Sequence, residues 1–262
     1  MIILLRSSKT MPSSSRKSLK VMSQPKLLQK AIVLDMYLKT LSVSQIVQSM
    51  RVSSLLAEKT RTLIAEWSVL KGKQNPAVDS FLGDIFSGLQ VESWSVRDRE
   101  YANNTLKILS GLYGILRPLD GIYPYRLEMG YKLPNKKFAN LYTYWGESIA
   151  ATLPKTGLII NLSAIEYTKT ITPLIDNSRM ITPSFLTISP KTSEPTFVTV
   201  HTKIARGAFA HWLITNRITE PKDFATFTAL GYQYSNVLSK ENMPVFVCKN
   251  FEGKGLSVRL SN

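Results

Sequence analysis

The chain has 262 residues, 44% of them hydrophobic and 10% aromatic, enough to bury one sizeable core. The 33 Lys and Arg residues exceed the 18 Asp and Glu, leaving a formal net charge of +15, a field that draws in polyanions and makes association salt-dependent. Apolar runs such as Ile2 to Leu5 and Gly157 to Ile160 fall far short of the roughly 20 residues of a membrane span, and the lone Cys248 excludes an intramolecular disulfide.

Ile2 to Leu5 reads as a short buried strand ending at Arg6, followed by a polar, irregular stretch from Ser7 to Ser18 that includes the serine cluster Ser13 to Ser15. Basic residues from Arg6 to Lys30 without an acid among them suggest an organelle transit peptide. The strand-like opening argues against a leader, and with the single thiol it points to a cytoplasmic protein. From Pro25 to Leu41 apolar residues recur at helical spacing; Ser42 restarts the pattern, and Ser53 begins a third run reaching about Leu70.

Phe81, Leu82, Ile85 and Phe86 form an apolar segment that Gly88 is expected to end. Ser95 then caps a helix with Asp98 at its third position, running to about Leu109 or Ser110. Gly157 to Leu162 is a buried-strand candidate, Thr196 to Thr202 alternates as a half-buried strand, and Ile204 to Asn216 has helical periodicity. Pro244 to Cys248 gives a last strand, in which the thiol is expected to be buried and inert. The whole reads as a mixed α/β (α+β) fold, a central sheet with helices around it, and with no linker composition it forms a single domain over residues 1–262.

The sharpest local pattern is the helix leading into Ser110-Gly111-Leu112-Tyr113-Gly114, then Arg117. Two glycines able to take positive φ, with amides exposed at a following helix start, describe a helix-hairpin-helix element that holds a phosphate. The alternative is an ordinary helix cap at Gly111 that packs Leu112 and Ile115 into the core.

Leu109 to Asp120 together with Pro124 to Gly130 resembles the signature block of the YaaA peroxide-stress family. The resemblance extends from Ser8-Lys9-Thr10 through Gly83-Asp84, Tyr144-Trp145-Gly146, Ile160-Asn161-Leu162, Glu166-Tyr167, Lys169, Lys203, Ala205-Arg206-Gly207 and Asn216-Arg217 to Gly231-Tyr232. It implies a fold peculiar to that family with a helix-hairpin-helix and a positively charged cleft. It also implies binding to duplex DNA, bent or branched forms included, and protection of bacteria from hydrogen peroxide by restraint of free iron. Two departures stand out: the family's Ser-Pro-Ala-Lys-Thr is here Arg6-Ser7-Ser8-Lys9-Thr10, and Ile165 stands where the family has an acid.

Lys9, Arg117, Arg126, Lys169, Lys203 and Arg206 fall in the matched blocks beside polar or glycine-containing turns, where long basic side chains reach a ligand or are simply solvated. Arg126 and Glu128, with Tyr123 and Tyr125 nearby, suit a flipped base, a small anion or an internal ion pair. Lys203 and Arg206 at the expected start of a helix oppose its dipole unless an anion binds there. His201 and His211 have no ligand-spaced partners, and no Walker, dinucleotide or nucleophile-elbow motif occurs, so no metal or cofactor is expected.

The first functional reading is a monomeric, shape-selective binder of double-stranded or branched DNA, using Lys9, Gly111, Leu112, Tyr113, Gly114, Arg117, Arg126, Lys169, Lys203 and Arg206, with no membrane partner. The second is an enzyme on a small phosphorylated or nucleotide-like substrate, with Lys9, Arg126, Lys203 and Arg206 around one pocket and Glu128 as general base.

Overall fold

The computed structural model describes residues 1–11, 23–68 and 74–257; the serine cluster and the expected continuation to Leu70 lie outside them. In chain order the elements are β1 (Ile2–Arg6), α1 (Leu28–Leu38), α2 (Val43–Met50), α3 (Ser54–Glu66), β2 (Asn75–Pro76), α4 (Asp84–Leu89) and α5 (Val96–Thr105). There follow β3 (Leu106–Ser110), β4 (Gly114–Leu116), β5 (Gly121–Ile122), α6 (Leu141–Ala150), β6 (Ile159–Asn161), α7 (Ile165–Thr168), β7 (Met180–Ile181) and β8 (Ser184–Ile188). The last are β9 (Pro195–Thr196), α8 (Thr199–Thr215), β10 (Tyr232–Tyr234) and β11 (Val245–Cys248).

The mixed α/β class is as expected, built on two main sheets. The first has the order β4-β3-β1-β6-β7, with β3, β1, β6 and β7 parallel and β4 antiparallel at the edge. Its central strand β1 is apolar from Ile2 to Leu5 because both faces are covered, as parallel strands require. The second, β10-β11-β8-β9, joins β8 and β11 in parallel and is otherwise antiparallel. Phe185, Phe209, Phe227 and Phe246 pack ring against ring between that sheet and α8. Cys248 is buried there, and loss of water pushes its thiol pKa up.

The serine starts hold. Ser42, Ser53 and Ser95 each accept the backbone N–H three residues on, and at Ser95 the Asp98 carboxylate returns the bond to the Ser95 amide.

Four expectations are corrected. The helix opened by Ser95 ends at Thr105, and Leu106 to Ser110 is strand β3, paired with β1 in the register Ile3 to Leu106 and Leu5 to Ile108. Gly111 to Tyr113 therefore connects two antiparallel strands, with Ser110 opposite Gly114, and the expected helix-hairpin-helix at this place is a β-hairpin. Thr196 to Thr202 is no strand beyond Thr196: Thr199 already begins α8, which runs to Thr215. Gly88 does not end its segment but lies inside α4, which closes at Gln90 in the left-handed conformation, φ 47°.

Candidate functional site

Three parallel strands end side by side: β1 at Arg6, β3 at Ser110 and β6 at Asn161. Carboxyl ends of parallel strands are where open α/β sheets place their ligands, because the chain leaves the sheet there in loops free to carry polar groups. Onto this edge fold the segment after β1 (Ser7 to Thr10), the irregular segment Tyr123 to Gly130, the short helix α7, and α8.

Glu128 is the centre of the cluster. Its side chain is 6% exposed, its Oε2 receives the Lys9 Nζ at 2.6 Å, and the Arg6 guanidinium approaches Oε1 at 3.8 Å. The cations on Glu128 are thus Lys9, brought from the loop after β1, and Arg6 at the strand's end, and not the sequence neighbour Arg126. Arg126 donates instead to the Lys9 carbonyl at 3.3 Å.

Arg206, on α8, lies near enough to Arg6 for the two charges to act on each other. Burial holds its guanidinium pKa below the usual arginine range, and the like charge of Arg6 adds to this. Opposite, Glu166 of α7 accepts the Gly130 amide at 3.1 Å, and a Cβ on Gly130 would stand 2.9 Å from that carboxylate. Among the described residues of this cluster, Arg6, Lys9, Arg126 and Arg206 outnumber Glu128 and Glu166, so cations are in excess at a partly buried site.

Tyrosines wall it. Tyr167, buried, lies under the Arg6 guanidinium at 5.8 Å and accepts a hydrogen bond from Ser7 Oγ at 3.4 Å. Burial and the Glu128 charge raise its phenol well above the ordinary range. Burial pushes Tyr125 up to about 12, tempered by its bonds to Ser110, at 2.6 Å, and Ser7. Tyr131 is raised by burial and Glu128, with Lys9 and Arg126 acting the other way.

The cluster is not satisfied internally. Among the described residues, Glu128 Oε1, Arg126 Nε and Arg206 Nε are buried without a hydrogen-bond partner. Orphaned buried polar atoms are rare in folded proteins because each costs its lost hydration, so Glu128 Oε1 and Arg126 Nε within the cluster, and Arg206 Nε on the helix near Arg6, are atoms that a bound group could satisfy.

The other expected residues go elsewhere. Gly111, Leu112, Tyr113 and Gly114 are core: a Cβ on Gly111 would meet the Leu127 carbonyl at 2.4 Å, and Gly114, at φ +71°, abuts the Trp145 ring. The Tyr113 hydroxyl accepts from Trp67 Nε1 at 2.7 Å and from the Tyr123 amide at 3.1 Å. None of the four presents an amide to a phosphate from a helix start. Arg117 is held by buried Asp120 at 2.8 Å and by the Gln24 carbonyl. Lys169 is exposed at the C-cap of α7, just beyond Glu166 and Tyr167.

Lys203 and Arg206 lie within α8 and not at its first turn, so the conflict with the helix dipole does not arise; Lys203 approaches Asp84 of α4 at 3.8 Å. His201 bonds Thr187 and stacks on Phe251, while His211 meets the Trp94 indole. Arg6, Ser7, Tyr131, Glu166 and Tyr167 join the site although none was singled out as a ligand contact. The available signal was a charge placed where a buried strand ends, at Arg6.

Among the described residues no helix is long and apolar enough to cross a membrane. The family model described as peroxide stress protein YaaA matches residues 1–238. A protein of Salinispora tropica described as "UPF0246 protein" is 51% identical over 259 residues, covering 99% of this chain and 98% of its own. One of Colwellia psychrerythraea with the same description is 37% identical over 258 residues, covering 95% and 99%.

Proposed function

The chain belongs to the peroxide stress protein YaaA family, and on that premise we propose that it serves the cytoplasmic peroxide stress response by binding nucleic acid at the cationic cluster on the carboxyl edge of its first sheet. The observation that carries the reading is the excess of Arg6, Lys9, Arg126 and Arg206 over Glu128 and Glu166 at a partly buried site, in a chain of net charge +15. Guanidinium groups suit phosphate because their planar donors engage two oxygens at once. Binding so driven is steep in salt and weak in sequence preference, whereas duplex, junction and single strand differ in how closely their phosphates approach one surface.

Fluorescence anisotropy with a plain duplex, a four-way junction and a single strand, titrated across salt, tests this. Arg126→Gln and Arg206→Gln are expected to weaken every form and to reduce the salt slope by roughly one ion each. Unchanged affinity in both variants removes the site from nucleic-acid binding. A second reading, a small phosphorylated substrate in the same place with Glu128 as base, draws on the one carboxylate oxygen left without a donor.

A further inference from the structure

A surface that only gathers phosphates needs cations. This one also buries a carboxylate, Glu128, among them, and leaves its Oε1 without a hydrogen bond, with the Arg6 guanidinium standing off at 3.8 Å. Whatever completes the cluster must therefore bring acceptors for Arg126 Nε and Arg206 Nε and, in the same molecule, a donor for Glu128 Oε1. An inorganic anion supplies only the first half. A nucleotide supplies both, if its base carries N–H groups toward the carboxylate.

Resting on the nucleic-acid reading above, we infer that the cluster around Glu128 takes a single guanine nucleotide, its phosphate against Arg126 and Arg206 and its Watson–Crick edge on Glu128. An ionised carboxylate is acceptor-only, with two oxygens side by side. Guanine presents two donors side by side, the ring N1–H and the amino N2–H, whereas adenine and cytosine alternate donor with acceptor and thymine offers one ring N–H. The half-buried ring of Tyr131, which feels the charges of Glu128, Lys9 and Arg126, gives a base something to lie against, as pockets for extruded bases do.

Lys9 occupies the second oxygen of Glu128 at 2.6 Å, yet its side chain is 51% exposed and on a flexible stem. It leaves Oε2 to the base and turns to guanine O6, keeping the carboxylate neutralised throughout. The nucleotide has two sources, a free mononucleotide or a guanine extruded from a strand, and the chemistry at Glu128 is the same for both.

The test uses the full chain. Melting temperature and calorimetric titration are followed with dGMP, dAMP, inorganic phosphate and glycine as separate probes, wild type beside Glu128→Gln and Lys9→Gln. The expected result is that dGMP binds at least about tenfold more tightly than dAMP, and that Glu128→Gln loses this preference while retaining the response to phosphate.

Lys9→Gln, which leaves the carboxylate in place but removes the cation assigned to guanine O6, is expected to weaken the preference for guanine without abolishing it, and guards against misfolding of the Glu128 variant. Equal binding of dGMP and dAMP, a response to phosphate alone, or a response to glycine, whose ammonium and carboxylate would also fill the three orphan positions, overturns the inference. Anisotropy with duplexes carrying one unpaired guanine or one unpaired adenine separates the sources: preference for the guanine duplex assigns an extruded base, and a dGMP response without it assigns the free nucleotide. Plain duplex affinity, measured alongside, judges the wider reading independently, since it can persist while every mononucleotide is silent.

Discussion

Gly88 of α4 and Gly207 of α8 lie on reciprocal sides of one helix crossing, each packed against the other helix's backbone. A Cβ on Gly88 would stand 2.0 Å from the Ile204 carbonyl oxygen, and one on Gly207 would stand 1.9 Å from that of Ile85. Neither contact ends on a side chain that could swing aside, so relief requires the helices to part.

Gly207→Ala is therefore expected to destabilise the protein by about 2 to 3 kcal/mol through overpacking, against the slight gain that alanine gives in an unconstrained helix. Urea denaturation measures it. A midpoint equal to or above that of the wild type would show that the two helices are not in close contact.

Tyr113→Phe separates a core residue from a ligand contact. Removing the hydroxyl leaves the Trp67 indole N–H and the Tyr123 amide without their acceptor, at a cost of about 2 to 4 kcal/mol, while nucleic-acid affinity of the folded variant stays unchanged. A stable variant that binds weakly would return the hairpin to the interface.

Lys107, on β3, is half-buried near Lys26 and Arg117, and its amine is lowered to about 8, chiefly by loss of water. The folded state sheds this proton before the unfolded state does, so from about pH 8 up to the ordinary lysine range near 10.4 the unfolded chain binds more protons and stability rises with pH. Buried Tyr113, Tyr125 and Tyr167, all raised, act oppositely above pH about 10. In Lys107→Met the rise between about pH 8 and 10 is expected to vanish. Denaturation midpoints across that range decide, and a rise undiminished in the variant would assign it to another group.

Asp98 titrates at the other end of the scale. Its bond from the Ser95 hydroxyl, with further support from Arg217 at 2.8 Å, holds the carboxyl below the usual range. The stability it contributes is full above its unfolded pKa near 3.9 and is lost as pH falls through the lower folded value. Asp98→Asn is expected to be less stable at neutral pH and to lose less on acidification. Ser95→Ala should cost about 1 kcal/mol as a lost cap. Parallel acid limbs in Asp98→Asn and wild type would count against the pairing.

What the sequence displayed, and what it hid, divides along the range of the interactions. Ser42, Ser53 and Ser95 were legible because a cap is settled within four residues, and β1, β6 and β11 because a short buried strand is an apolar run whatever its neighbours. Leu106 to Ser110 misled because strand β3 follows α5 with no intervening breaker, and a strand buried on both faces lacks the alternation that marks a half-exposed one. Only pairing with β1, a hundred residues earlier, makes it a strand.

Thr196 to Thr202 misled in the opposite sense: its alternation is real, but the Thr202 hydroxyl bonds the Phe185 carbonyl from a helix. The candidate site was half legible. Lys9, Arg126, Glu128 and Arg206 were nameable from residue type and matched blocks, but their convergence depends on three strands ending together, which no local pattern encodes.

Arg206 and Gly207 are consecutive residues, and that adjacency links two constraints that could have been separate. The side chain proposed to serve the site sits beside a position where a Cβ would meet the α4 backbone, so the packing of α4 on α8 bears on where Arg206 stands. If that site is the functional one, a substitution in α4, remote from it in sequence, is expected to shift Arg206 through the helix crossing. The two segments are expected to diversify in step, as one unit of change.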